Sequence, residues 1–195
     1  DVEKDDHDRI WIGTQNGVTL IDGSNVKKYG AADGLPAANI IKVVSLNNII
    51  YAATSSKGIY VHKDDSFEKS TIVKGSDLYT MARVDDQLFV STNLENILFD
   101  GNNVSFMGKG FPNAKVRDVF TGNGKSWYAA ENKIIQNNNN NSYVSKSVDF
   151  PSNKTKIQAL LVVGDVEYYG TNQGLWSRVG KGNPKLLKNI NVLCL

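Results

Sequence analysis

Polar residues at comparable places along this sequence have the chemistry of a ligand site. The candidates are Asn39, Asp77, Lys115 and Lys156 and, two residues after the last three of these, Tyr79, Arg117 and Gln158. Amide, carboxylate, phenol, ammonium and guanidinium groups bind sugar hydroxyls or a carboxylate through hydrogen bonds. We therefore predict ligand binding at these positions. The alternative is that they line a water-filled channel that holds no ligand.

Catalysis is not predicted. His7 and His62 are expected in different peripheral turns, whereas a Ser-His-Asp triad needs a convergent site. Asp77 and Asp118 are candidates for the paired carboxylates of a hydrolase. However, Asp118 directly follows Arg117 on a predicted strand, where successive side chains point to opposite faces. Asp118 is therefore expected to point away from the ligand.

No metal site and no cofactor are predicted. Asp5, Asp6 and Asp8 are close together, but they lack the glycine and the distal glutamate that a calcium-binding loop requires. Cys194 is the single cysteine, which excludes a disulfide framework and a zinc-binding cysteine pattern. Because it lies among Val192, Leu193 and Leu195, it is expected in the core.

The elements that position these candidates recur along the chain. Five segments begin with an aromatic residue, pass through small residues and end in Thr or Ala: 11–14, 51–54, 89–92, 127–130 and 168–171. The unit repeats every 38 to 41 residues, which is typical of four-stranded propeller blades. We predict an all-β fold, a β-propeller of four-stranded antiparallel blades, with about five blades in this chain.

The candidate residues lie at the start of one predicted strand in each repeat. These strands are expected at 40–46, 78–84, 116–120 and 157–163, directly before the next aromatic segment. They would be the innermost strands of their blades. Because propeller ligands bind where the loops of several blades converge, the candidates are expected at the mouth of the central channel.

Other repeated residues are interpreted as scaffold. The first aromatic residues, 11, 51, 89, 127 and 168, are expected to fill the space between packed sheets rather than to stack on sugars. Gly13 and Gly170 are expected to allow close contact between sheets. The threonines at 14, 54, 92 and 171 are expected to form hydrogen bonds within their turns. The asparagines at 137–141 predict a surface hairpin loop.

The repeat pattern bears on the extent of the domain. Residues 1–195 are predicted to form a single propeller domain or a segment of one, cut from a longer chain, because both ends fall inside a repeat. A last strand is expected at 190–195. It would either close a five-bladed ring or begin the next blade of a larger, seven-bladed propeller, and the second interpretation is favoured.

Composition excludes some classes of protein. The formal net charge is +2, with 22 basic and 20 acidic residues interspersed. Nucleic-acid binding is therefore not predicted. The sequence contains no run of eighteen apolar residues, so it predicts no membrane-spanning helix.

The first repeat resembles a known family. Asp8-Arg9-Ile10-Trp11-Ile12-Gly13-Thr14-Gln15-Asn16-Gly17-Val18, followed by Asp33-Gly34-Leu35-Pro36-Ala37-Ala38-Asn39-Ile40, is similar to the two-component regulator propeller repeat. Residues 169–176 of the last repeat also match. The three middle repeats match by period but depart from the motif: Ala53 and Ser91 replace the glycine, and Ala130 replaces the threonine.

This resemblance implies a periplasmic sensor region of a bacterial hybrid two-component histidine kinase. It implies an oligosaccharide ligand, contacts with other propeller segments of the same chain, a homodimer in the full-length protein, and a kinase elsewhere in that protein. Two other functions are kept open: a protein-interaction scaffold, and a polysaccharide lyase or hydrolase.

Overall fold

The computed structural model describes residues 1–74, 77–122, 124–137 and 142–195. The strands are β1 Val2–Lys4, β2 Ile10–Thr14, β3 Gly17–Asp22, β4 Asn25–Tyr29, β5 Ile40–Leu46, β6 Ile49–Thr54, β7 Ile59–Lys63, β8 Ser66–Lys69, β9 Leu78–Val84, β10 Gln87–Thr92, β11 Asn96–Phe99, β12 Val104–Phe106, β13 Val116–Gly122, β14 Lys125–Ala130, β15 Lys133–Asn137, β16 Tyr143–Ser147, β17 Ile157–Val163, β18 Val166–Thr171, β19 Gly174–Val179 and β20 Lys185–Lys188. A short 3₁₀-helix spans Ala31–Asp33.

Within the described residues, these strands form five four-stranded antiparallel sheets. Each sheet takes four consecutive strands in chain order: β1–β4, β5–β8, β9–β12, β13–β16 and β17–β20. The predicted all-β fold of about five four-stranded antiparallel blades is confirmed. The chain divides into two compact units, residues 1–106 with three sheets and residues 107–195 with two.

The core of the first unit lies between consecutive sheets. Trp11 is fully buried and packs with Val43 and Phe67 in a cluster that joins the first sheet to the second. Tyr51 belongs to a second cluster, which joins the second and third sheets and includes Met81. Aromatic residues at the first position of a repeat therefore fill the space between sheets in this unit, as predicted.

The second unit uses a neighbouring position for the same purpose. Tyr128 and Tyr169 are fully buried. Trp127 and Tyr168, the first aromatic residues of their repeats, are only half-buried. Trp127 still packs against the cluster that joins the fourth and fifth sheets, as predicted, although the next residue along each strand takes the most buried place.

Close approach of another part of the chain accounts for two glycines. A Cβ on Gly13 would lie 2.7 Å from Cγ2 of Ile40 in the following sheet. A Cβ on Gly170 would lie 2.7 Å from Cγ1 of Val192. Both distances are below normal carbon contact. The prediction of close contact between sheets is confirmed for Gly13, whereas at Gly170 the close neighbour is the segment after β20 and not a strand.

The threonine turns are also confirmed. In each turn the hydroxyl donates a hydrogen bond to a carbonyl three or four residues ahead and accepts one from a backbone N–H of the same turn. The bonds to the carbonyls measure 3.0 Å at Thr14, 2.7 Å at Thr54, 3.2 Å at Thr92 and 2.7 Å at Thr171.

The last residues differ from the prediction. Residues 190–195 form no strand, although the N–H of Val192 donates to the carbonyl of Thr171 at 3.1 Å. Cys194, predicted from its apolar neighbours to be buried, is exposed; of these neighbours Val192 is half-buried. Asn137 ends β15, and the rest of the predicted asparagine loop, 138–141, lies outside the described residues. None of the described helices is long and apolar enough to cross a bilayer.

Candidate functional site

The predicted ligand residues lie at irregular points of the first strands of four sheets. In β5, Ile40 pairs with Thr54 and Lys42 pairs with Ala53, so the residue between them has no partner in β6. The same register shift of one residue occurs between 78 and 80, between 116 and 118, and between 157 and 159. Ile41, Tyr79, Arg117 and Gln158 are the residues skipped by these shifts. Each one is the extra residue of a β-bulge, which re-aims a side chain and leaves it outside the regular ladder.

The residue two places before the bulge is held by its backbone in three of the four sheets. The carbonyls of Asn39 and Asp77 accept hydrogen bonds from the N–H groups of Ser55 and Asn93, at 3.0 and 2.9 Å. The carbonyl of Lys156 accepts from Asn172 at 3.3 Å. These bonds fix the main chain at the start of β5, β9 and β17, so the side chains of Asn39, Asp77 and Lys156 project from a rigid base.

The candidates differ in exposure. Asn39, Asp77, Lys115, Arg117 and Lys156 are exposed, and Tyr79 and Gln158 are half-buried. Oε1 of Gln158 is buried and has no hydrogen-bond partner among the described residues. An unpaired buried carbonyl is rare, and water or a ligand normally satisfies it.

In the first unit the structure places Asn39, Asp77 and Tyr79 at the starts of β5 and β9. In the second unit it places the other four at the starts of β13 and β17. Here Lys115 lines a pocket of about 350 Å³ together with Glu131. Nζ of Lys156 lies 3.3 Å from Oε1 of the same glutamate. Glu131 thus links two of the predicted residues within this unit.

Sequence reasoning missed Glu131. Its carbonyl accepts a 2.6 Å hydrogen bond from the N–H of Ile157, so its backbone also joins the two sheets. The signal is present in the repeats. Glu131 follows Ala130, whereas the equivalent residues after the turn threonines of the other four repeats are all uncharged: Gln15, Ser55, Asn93 and Asn172. A comparison of this position across the five repeats identifies Glu131 as the one acidic residue among them.

Asp118 makes a contact to the following sheet. Its Oδ2 accepts a hydrogen bond from the N–H of Leu160 in the next sheet at 2.8 Å. Asp1 makes the corresponding contact to the N–H of Val43, also at 2.8 Å. A carboxylate at this position therefore satisfies a strand N–H of the following sheet, which the chain cannot leave unpaired at low cost.

His62 was predicted to lie in a turn, but it lies in β7. Its ring contacts those of Trp11, Tyr29 and Phe67, with centroid distances of 5.0 to 5.1 Å. Its buried Nε2 has no hydrogen-bond partner within the described part of the chain. This histidine is a member of an aromatic cluster in the first unit, and none of these contacts is to a nucleophile.

Burial lowers the pKa of His62 below its ordinary value of 6.5, with nearby Asp65 opposing the effect and Arg9 and Lys27 adding to it. The unfolded chain therefore takes up this proton at a higher pH than the folded chain does. The contribution of His62 to the free energy of unfolding is complete above pH 6.5 and falls as the pH drops toward the lowered pKa. We expect His62→Phe to remove this part of the pH dependence.

Urea unfolding at pH 7.5 and pH 5.0 measures the effect. The wild-type chain should lose more stability between these pH values than His62→Phe does. His7→Ala is the control, because His7 is exposed and should leave the wild-type difference intact. Equal losses in the wild type and His62→Phe would contradict the assignment.

No protein-family model matches the chain, and no curated protein matches it by sequence. Solved structures do match. The extracellular domain of the hybrid two-component system BT4673 from B. thetaiotaomicron is similar with a TM-score of 0.78 and 18% identity, over 98% of this chain and 28% of that chain. Our chain thus spans just over a quarter of that ectodomain.

Two other matches come from proteins of different function. Virginiamycin B lyase from Staphylococcus aureus has a TM-score of 0.69 and 13% identity, over 94% of this chain and 67% of that chain. PorZ of Porphyromonas gingivalis, a surface component of the type-IX secretion system, has a TM-score of 0.62 and 12% identity, over 94% and 27%. The chain therefore has the propeller-like all-β fold that a sensor ectodomain and an enzyme share.

Proposed function

We propose that this chain is part of an extracytoplasmic, periplasmic ligand-sensing domain of a hybrid two-component sensor. In this proposal the ligand is an oligosaccharide and the kinase lies elsewhere in the full-length protein. Ligand binding would change the packing of propeller segments across a homodimer, and differential affinity for the two arrangements would carry the signal.

The observation that carries the proposal is the match of almost the whole chain to an extracellular sensor domain. Fold alone does not specify function, so the argument also needs a site. The bulge positions supply candidates: they vary between repeats while the turn threonines and the packing residues recur. Variation on a constant scaffold is what a binding surface requires.

The second unit favours a polar ligand. Lys115, Arg117, Lys156 and Gln158 provide hydrogen-bond donors and an amide carbonyl, and Glu131 provides an acceptor. The pocket beside Lys115 and Glu131 is within the usual size range of small-molecule sites. Sugar hydroxyls both donate and accept hydrogen bonds, so they suit a site that contains both kinds of group.

Calorimetric titration with a panel of neutral oligosaccharides tests the proposal. Saturable heat with one member would support it. Titration of the complete ectodomain is the decisive form, because a ligand can require residues from more than this segment. Absence of binding by the complete ectodomain to every member would contradict the oligosaccharide assignment.

Arg117→Ala tests the site. We expect it to weaken binding of the active oligosaccharide by about 10- to 100-fold, since a hydrogen bond from a charged group contributes about 1.5–3 kcal/mol. The melting temperature should change by no more than about 2 °C, because the side chain is exposed. Calorimetry and thermal melts measure the two quantities.

Lys185→Ala is the matched control. It removes an exposed cation of the same unit from β20, away from the bulges, and should leave affinity unchanged. Unfolding of Arg117→Ala would show that the bulge residue is structural. Wild-type affinity in that variant would remove Arg117 from the site.

Two other functions have specific support. The lyase match shows that enzymes use this fold, so release of products from the same saccharide panel should be assayed. The PorZ match supports a protein-interaction scaffold, in which case the ectodomain should bind none of the saccharides. Our proposal predicts binding without product release.

A further inference from the structure

A second pocket in the unit of residues 107–195 is separate from the bulge residues. It has a volume of about 290 Å³ and lies between the end of β16 and the turn that joins β19 to β20. The lining residues are Lys146, Ser147, Asp149, Arg178 and 180–184. We propose that this pocket binds the carboxylate of a small acidic ligand, and that an acidic sugar such as a uronate is its occupant.

Arg178 is the fixed group of the pocket. The residue is only 8% exposed. Its Nε donates to Oε2 of Glu167 at 2.6 Å, and its Nη2 lies 2.5 Å from the same oxygen. The guanidinium also lies over the ring of Tyr169, 5.6 Å from the centroid. These contacts hold the side chain in one orientation before any ligand arrives.

The guanidinium retains donors for a ligand. A guanidinium carries five N–H groups, and Glu167 engages Arg178 through one oxygen. The hydroxyl of Tyr169 also engages the guanidinium, so Glu167 and Tyr169 together take up part of its donors. Because Arg178 lines the pocket, we assign its remaining N–H groups to the ligand. A planar fork of this kind binds a carboxylate with good geometry.

The rim adds positive charge from two sides. Lys146 comes from β16 and Lys181 from the turn, and both are exposed. Among the described lining residues Asp149 is the one acid, so cations outnumber acids. Ser147 and Asn183 provide neutral hydrogen-bonding groups beside the charges, as a sugar ring with hydroxyls requires.

The shape of the turn favours a compact ligand. The N–H of Gly182 donates to the carbonyl of Val179, and the N–H of Gly180 donates to the carbonyl of Asp165, both at 3.0 Å. The first bond closes the turn on itself, and the second attaches it to the turn between β17 and β18. The volume is at the lower end of the range for small-molecule pockets, which fits one sugar unit rather than a long chain.

The test is a titration of the complete chain with sodium glucuronate, glucose and sodium acetate at low and high salt. Glucuronate should bind more tightly than both other probes, and its binding should weaken as salt rises. Tighter binding than glucose shows the need for the carboxylate. Tighter binding than acetate shows the need for the sugar ring.

Lys181→Ala should weaken glucuronate binding by about tenfold, as loss of a charge-assisted hydrogen bond predicts. Lys188→Ala, an exposed lysine on β20 outside the pocket, is the matched control and should bind like the wild type. Both variants remove exposed side chains, so folding is not at risk. Arg178 itself is avoided, because its ion pair is buried.

The proposal is overturned if glucuronate binds no better than glucose, if acetate binds equally well, or if both lysine variants bind alike. This test does not depend on the proposed sensing site. The panel of neutral oligosaccharides tests the bulge site and the glucuronate titration tests this pocket, so failure at one site is distinguishable from failure at the other.

Discussion

Gly34→Ala is expected to lower the free energy of unfolding by about 3 kcal/mol or more, the largest effect of any single methyl addition we predict here. Gly34 has a φ of 89°, in the left-handed region that disfavours residues with a Cβ. A Cβ at this position would also lie 2.0 Å from the carbonyl oxygen of Phe67. Backbone cannot rotate out of the way as a side chain can, so either the connection or β8 must move.

The connection around Gly34 is well anchored, which makes relaxation difficult. The N–H of Leu35 donates to the carbonyl of Gly30 at 3.1 Å, and the Leu35 side chain is almost fully buried. Urea unfolding followed by tryptophan fluorescence measures the change. Gly23→Ala is the matched control: it has a φ of 57° but nothing within 4 Å of the added Cβ.

In Gly23→Ala the free energy of unfolding should fall only by the cost of placing a residue with a Cβ in the left-handed conformation, about 1–2 kcal/mol. The difference between the two variants isolates the steric clash. Equal losses would show that the chain relaxes around residue 34 and would contradict our account of the connection.

Glu167→Ala is expected to lower the free energy of unfolding by about 3–5 kcal/mol, since removing one partner leaves a buried charge uncompensated. The side chains of Arg178 and Glu167 are 9% and 15% exposed. The carboxylate also accepts a 2.5 Å hydrogen bond from the hydroxyl of Tyr169. Burial, followed by this hydrogen bond, raises the pKa of Tyr169, so its hydroxyl remains a donor at neutral pH.

Lys156→Ala provides the comparison in the same unit. It breaks the exposed pair with Glu131, whose partners are 58% and 56% exposed, and should lower stability by less than about 1 kcal/mol. A double variant, Glu167→Leu with Arg178→Met, should recover much of the loss, because no charge is then left buried. Similar small losses in Glu167→Ala and Lys156→Ala would contradict the role assigned to the buried pair.

The sheets could be predicted because hydrophobic pattern and turn chemistry agree along the chain. The first strands at 40–46, 78–84 and 157–163 have the predicted limits, and β13 extends two residues beyond the prediction. Each threonine turn also fixes the register of the two strands that it connects, because the hydroxyl must reach a carbonyl three or four residues away. The hydrophobic pattern and the turn residues together therefore predict the order of the strands in each sheet.

The bulges could not be predicted from alternation. The sequence-based argument assumed that successive residues of a strand point to opposite faces. At Tyr79 and Arg117 one residue is inserted into the ladder, so that rule does not apply. No residue type identifies the inserted position in the sequence. The four inserted residues share neither charge nor polarity: they are Ile41, Tyr79, Arg117 and Gln158.

Two other errors arose because tertiary contacts override local pattern. His62 was expected in a turn, but β7 runs to Lys63, because the ring of His62 completes an aromatic cluster with Trp11 and Phe67. Cys194 lies in an apolar segment, but it is exposed. Hydrophobic neighbours indicate burial only when a partner surface is available.

The bulge has a consequence for protein engineering. A side chain outside the ladder can change without shifting the strand register, so Tyr79, Arg117 and Gln158 form a natural set for combinatorial diversification, whereas Ile41 packs against the core. The threonine turns and the glycine contacts would hold the framework constant while such a library varies the chemistry presented by each repeat. The repeat thus separates the residues that specify the fold from those that are free to acquire new recognition.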